Sequence, residues 1–136
     1  VKLMIALEMI GYYDSAPGSQ NYPYPAMSWL YPDRGDFIAV VGRMQDINAV
    51  RQVKAALLSS RDLSVYSMNA PGFIPGIDFS DHLNYWQHDI PAIMITDTAF
   101  YRNKQYHLPG DIADRLNYQK MAQVVDGVTT LLYNSK

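Results

Sequence analysis

Three features of the sequence predict an α/β fold with a mostly parallel sheet of about four strands flanked by helices. Residues 37–68 read as strand, amphipathic helix, strand, a unit that joins parallel strands through a crossover helix. The apolar runs VKLMIALEMI (1–10) and IPAIMI (90–95) are continuous rather than alternating, as in strands buried on both faces. Near the C-terminus, Met121, Val124, Val125, Val128, Leu131 and Leu132 fall on one helical stripe.

Bulk properties narrow the function classes. A chain of 136 residues suits one domain, and 49% hydrophobic with 18% charged residues is a globular composition. A formal net charge of −2 gives no electrostatic case for nucleic acid or an anionic membrane surface. No apolar run approaches the roughly 20 residues that span a bilayer, so no transmembrane segment is expected. The absence of cysteine removes any thiolate metal site. The chain opens without an initiator Met on a strand-like run and shows no signal peptide; it reads as a piece of a longer protein.

Taken in order, residues 1–10 favour a strand because of their length and the Gly11 that follows, although Leu, Met and Ala also suit a helix. Such a run suits a central parallel strand. Glu8 then stands at its C-terminal end, where a carboxylate beside Leu7, Met9 and Ile10 is costly to bury unpaired. Either its head reaches solvent or an arginine, or it is a metal ligand at the strand tip.

Residues 14–35 form a long connection in which Pro17, Pro23, Pro25 and Pro32 exclude a regular element, apart from a helical turn or two within 26–31. Its aromatic residues Tyr22, Tyr24, Trp29 and Tyr31 predict packing, over a pocket or as a satellite cluster. FIAVV (37–41) is a second buried strand closed by Gly42. Asp46 is a candidate N-cap for a helix carrying Val50, Val53 and Leu57 inward and ending near Leu58. Residues 63–68 form the next strand, and NAPGFIPG (69–76) is a turn-rich loop.

The remaining polar chemistry concentrates between 79 and 110, FSDHLNYWQHDIPAIMITDTAFYRNKQYHLPG, which holds all three histidines. Ser80 is placed to cap a short helix over 81–88, and Pro91 is tolerated at the start of the strand that follows. Asp97 is read as capping the turn after that strand, with Arg102 and Asn103 holding the loop by hydrogen bonds to backbone. Asn117 caps the last helix, in which Gly127 permits close packing. Titratable groups thus flank a rigid apolar strand, a common way of building a site.

Three fragments in this order carry a resemblance: ALEMIGYYD, with an acid at a strand end; FSDHLNYWQHDIPAIMITD, with Ser-Asp-His, a short helix and a strand; and RNKQYHLPGDIADRL, with Tyr-His followed by two acids. Together they resemble the C-terminal half of the bacterial zinc aminopeptidases of metallopeptidase clan MH, family 28, over essentially the whole chain. The resemblance implies that residues 1–136 are the C-terminal portion of a zinc peptidase-like domain, a three-layer α/β/α sandwich. It implies a hydrolase that removes N-terminal residues from peptides at a two-zinc site. Glu8 would bind one zinc and His107 the other. Tyr106 would donate to the oxyanion of the tetrahedral intermediate, and Asp81 would orient groups at the substrate end or meet the substrate amine. His82 is carried over as a substrate-binding residue, and Asp111 and Asp114 as loop supports.

The residue types suit that chemistry, since zinc takes imidazole nitrogen and carboxylate oxygen, and a hydroxyl can stabilise an oxyanion. The departure from the family pattern is as informative. The family places a His ligand, a bridging Asp and a Glu-Glu pair before the EMIG strand, and no such segment is present here. Zinc sites normally take three or four protein ligands, so this chain alone is expected to hold no stable zinc pair and to be inactive by itself. Two other readings remain open: a catalytically dead relative serving as a binding domain, and a glutaminyl cyclase-like transferase, disfavoured because Tyr106 stands where those relatives usually carry Trp. Sheet surface left uncovered by a missing segment would favour self-association. Members of the family are often exported, but nothing in this chain fixes its location.

Overall fold

The computed structural model describes residues 1–60 and 62–134. Four strands form one sheet: β1 (Met4–Leu7), β2 (Ile38–Gly42), β3 (Val65–Asn69) and β4 (Ala92–Thr96). Their spatial order is β1-β4-β2-β3. β1 runs parallel to β4 and β2 parallel to β3, while β2 and β4 pair antiparallel. The sheet is therefore mixed but mostly parallel, as the sequence predicts.

The unit β2–α1–β3, with α1 at Ile47–Leu57, follows from the local pattern. FIAVV is buried on both sides because its alternate residues serve two cores. Ile38 and Val40 pack with Ile93 and Ile95 of β4 beneath Val50, Val53 and Leu57 of α1, and beneath Val124 and Leu131 of α3 (Tyr118–Asn134). Ala39 and Val41 face the other way, with Ala92 and Met94, toward Phe37, Ile77 and Trp86. Trp86 lies on the short helix α2 (His82–Trp86), and its indole N–H donates to the Ala92 carbonyl at 2.8 Å.

Two glycines permit close approaches. A Cβ on Gly127 would lie 2.9 Å from the Leu57 Cα, so α3 meets α1 backbone to backbone. A Cβ on Gly42 would lie 2.7 Å from a Val50 methyl, where α1 crosses the end of β2. Asn117 caps α3 as expected, its side-chain oxygen accepting the Lys120 N–H at 3.0 Å.

Three local expectations are corrected. β1 is an edge strand with a single neighbour, not a central one, and Leu7 is 47% exposed. A continuous apolar run marks a strand but carries no information about which strands flank it. Asp46 occupies the N-cap position of α1 without a capping hydrogen bond, because Arg43 takes its carboxylate at 2.7 Å. Ser80 does not cap α2; its hydroxyl is engaged elsewhere, as described next.

Candidate functional site

The second face of the sheet is floored by small or flexible residues, Ala39, Val41 and Met94, and this leaves room for a cleft of about 880 Å³, its open mouth included. Tyr22, Met27 and Tyr31 from the long connection form one wall, and Ile74, Ile77 and Tyr101 another. The predicted aromatic packing over a pocket is realised by Tyr22 and Tyr31, whereas Tyr24 and Trp29 of the same connection stand exposed, Trp29 at 87%. Tyr31 meets Tyr66 edge to face at 6.2 Å and donates its hydroxyl proton to the Ser67 carbonyl, while Tyr22 donates to the Pro32 carbonyl at 2.7 Å. Desolvation raises the pKa of both phenols, so they stand in this wall as neutral groups.

Glu8 and Tyr106 both line the cleft. Glu8 directly follows β1, where its backbone N–H still donates to Ile95 of β4 at 3.0 Å. Its carboxylate accepts the Ser80 hydroxyl proton at 3.0 Å. Tyr106 packs its ring 5.6 Å from that of Phe100 and stacks on His107 at 3.9 Å. His107 is exposed and adopts a left-handed backbone at φ 57°. The turn carrying it is held from below. Asn103, 1% exposed, accepts the Gln105 N–H through its side-chain oxygen and donates to Asp111 at 2.9 Å. Asp111 therefore supports the loop as expected.

Asp81 lies exposed at the N-cap position of α2, beside the Ser80 that holds Glu8. His82 is 0% exposed: its Nε2 meets the Ile77 carbonyl at 2.7 Å, its ring lies edge-on to Trp86, and its Nδ1 has no partner. Burial lowers its pKa, against the pull of the Ile77 carbonyl and the nearby Asp78, Glu8 and Asp81 carboxylates. The neutral ring that bonds Ile77 carries its proton on Nε2. Side by side, then, stand Glu8, Ser80, Asp81 and the buried His82, with Tyr106 lining the same cleft and His107 stacked on Tyr106.

Among the described residues no group of three His, Cys, Asp or Glu side chains is close enough to hold an ion. Glu8 and His107 supply one donor each, which does not fit the three or four that zinc takes.

Asp97 caps the turn after β4 and Arg102 bonds backbone carbonyls, as the sequence predicts, but the two also form a longer-range polar network that the sequence pattern did not disclose. Asp97, 1% exposed, accepts the Gly11 and Tyr12 N–H groups at 3.1 and 2.7 Å and the Ala99 N–H at 3.0 Å. Burial nevertheless pushes its carboxyl up to about 6, against the pull of these three donors and of Arg102. Arg102, 3% exposed, donates to Gln20 and to the Tyr12 and Phe37 carbonyls, and lies over the Phe37 ring at 4.6 Å. The sequence signal covered only the local part, a turn cap and a loop brace; the partners Gly11 and Tyr12, some 85 to 90 positions away, left no mark in it.

No family model matches the chain. It is 96% identical over its full length to the protein YfbL of Escherichia coli (strain K12), of which it spans 42%. Its fold is similar to part of the LapA aminopeptidase of Legionella pneumophila, at a TM-score of 0.63 and 20% identity, covering 96% of this chain and 30% of that one. It is likewise similar to LapB of the same organism, at a TM-score of 0.67 and 16% identity, covering 98% of this chain and 31% of that one. At these identities the likeness is one of fold: the chain has the α/β architecture of a portion, slightly under a third, of those proteins.

Proposed function

We propose that this chain is the C-terminal part of an aminopeptidase-like hydrolase that removes N-terminal residues from peptides, and that it supplies one side of the active cleft. The observation that carries the reading is that Glu8 and Tyr106, 98 positions apart, line one cleft, with His107 stacked on Tyr106. In this reading Glu8 and His107 are each one ligand of a zinc pair whose other ligands, and whose general base, come from a segment outside this chain. The sequence has no second glutamate besides Glu8, so it contains no candidate for the family's Glu-Glu pair.

The chain's own residues have definite tasks. Ser80 restrains the Glu8 carboxylate. The Tyr106 hydroxyl donates to the oxyanion as the substrate carbonyl becomes tetrahedral. Asp81, exposed beside Ser80, meets the substrate amine. His82, wholly buried, holds the Ile77 backbone in the cleft wall rather than touching substrate. The apolar lining receives an apolar side chain.

The test uses full-length YfbL beside the 136-residue chain, with aminoacyl reporter substrates and metal analysis. The full-length protein is expected to bind zinc and release the N-terminal residue. The chain alone is expected to do neither. Replacing the tyrosine equivalent to Tyr106 by Phe should lower kcat about a hundredfold, the scale of one lost oxyanion donor. A full-length protein that holds no zinc and cleaves no substrate would instead favour a binding domain on the same scaffold.

A further inference from the structure

Two backbone segments leave the sheet side by side and carry the cleft's polar groups. One, residues 8–12, follows β1 and begins with Glu8. The other, residues 97–107, follows β4 and ends with Tyr106 and His107. One buried side chain joins them. Asp97 takes the Gly11 and Tyr12 N–H groups on Oδ2 and the Ala99 N–H on Oδ1. Its own N–H donates to the Met9 carbonyl at 2.6 Å, one residue beyond Glu8.

Both segments are bent through conformations that non-glycine residues seldom adopt. Met9 has φ 52°, Thr98 75° and Ala99 48°. Such residues persist only where their surroundings over-determine them. The surroundings here are the Asp97 hydrogen bonds, together with one from the Thr98 N–H to the Thr96 hydroxyl. A chain terminating two strands could be capped by two independent turns. Instead, one carboxylate serves both, so neither segment can shift without the other.

We infer that Asp97 is a positioning residue that sets the Glu8 segment and the Tyr106–His107 segment in register with each other. The inference rests on the proposed function only for its catalytic consequence; the mechanical coupling stands on the hydrogen bonds. Arg102 and Tyr13 are the charged or titratable groups that face the Asp97 carboxylate from the neighbouring segments, and Arg102 supplies the countercharge. The Arg102 guanidinium also donates to the Tyr12 carbonyl, so it braces the first segment from the second.

Hydrogen exchange on the 136-residue chain tests the coupling without any activity. If one carboxylate holds all three, the Gly11, Tyr12 and Ala99 amides open together, and their protection factors agree within about threefold. Asp97→Asn keeps the shape but turns a donor toward donors. It should speed exchange at these amides by at least about tenfold and leave Ile38–Gly42 of β2 unchanged. Unequal protection in the unaltered chain overturns the inference. So does a uniform rise across β2 and α1, which is the mark of a merely structural role. In active full-length protein the same change should lower kcat about tenfold or more with KM within about twofold; an unchanged kcat also overturns it. Absence of activity in the unaltered full-length protein would count against the proposed function alone, and exchange would then decide the coupling.

Discussion

Replacing Arg102 by Met isolates the value of a buried guanidinium, because Met keeps the length of the apolar stem that fills the space beside Gly35. The change removes three hydrogen bonds: to Gln20 at 2.8 Å, to the Tyr12 carbonyl at 3.1 Å and to the Phe37 carbonyl at 2.9 Å. Gln20 Oε1 keeps a partner in the Thr98 hydroxyl, so two backbone carbonyls lose this donor. Each orphaned acceptor costs about 1–3 kcal/mol, and loss of the contact over the Phe37 ring adds about 1 kcal/mol. Acting the other way, the buried charge is itself desolvated, which lowers the Arg102 pKa, and its Nη2 has no partner; both penalties disappear in the variant. The net expectation is a loss of about 3 kcal/mol, read as a lower urea midpoint with unchanged slope, or as a fall in Tm of about 10 °C for a chain of this size. A loss below about 1 kcal/mol would show that burying the guanidinium costs as much as its contacts return, and the network could not then be a brace.

Two further outcomes follow from the same geometry. Gly127→Ala gains about 1 kcal/mol of helix propensity but sets a methyl 2.9 Å from the Leu57 Cα, and the backbone there cannot swing aside; overpacking should win and lower stability by about 1–2 kcal/mol in urea unfolding, a stabilised variant being the contrary result. Asp97 titrates near 6 in the fold against 3.8 for an unperturbed carboxyl. The fold therefore binds the proton more tightly than the unfolded chain does. This contribution is fully present below pH 4 and is lost as pH rises through about 6. The stability of the wild type relative to Asp97→Asn should thus fall by about 2 kcal/mol between pH 4 and 7, measured by paired urea titrations, and a rise over that window would mean that the three N–H donors outweigh desolvation.

How much of the fold could be read in advance depended on the range of the interaction. The β2–α1–β3 unit and the Asn117 cap follow from periodicity and from residues a few positions apart; Gly127 announces a close approach but not its partner, Leu57 on α1. Sheet order does not. That β4 inserts between β1 and β2, antiparallel to β2, is decided by pairings across 50 to 90 residues, and the apolar run of β1 reads the same at an edge as at the centre. The two failed caps share a cause. Asp46 and Ser80 are good N-cap residues, but each found a charged partner, Arg43 three positions back for the acid and the distant Glu8 carboxylate for the hydroxyl. For Ser80 a charge-assisted bond outweighs a neutral cap by roughly a factor of two, and for Asp46 an ion pair with two-point geometry competes with the cap, so propensity gives way where a charge is near.

For the cleft, the sequence reading singled out Glu8 and Tyr106, which do line it, through three fragments read together. The residues that hold them in place, Asp97, Arg102, Asn103 and Asp111, were readable as local turn and loop supports but not as a link between the two segments. Yet their placement has a physical logic. Of the six non-glycine residues with positive φ among the described ones, four, Met9, Thr98, Ala99 and His107, lie in the two segments that leave β1 and β4 at the cleft. Each costs about 1–3 kcal/mol, and the same segments contain a buried carboxylate and a buried guanidinium. A turn evolved only for stability would relax these one at a time, since glycine at Ala99 or an apolar residue at Asp97 would remove the penalty locally. Their concentration at one end of the sheet implies that the conformation itself is what is held: a fixed relation between the backbone at Glu8 and the backbone at Tyr106, kept at the expense of local stability.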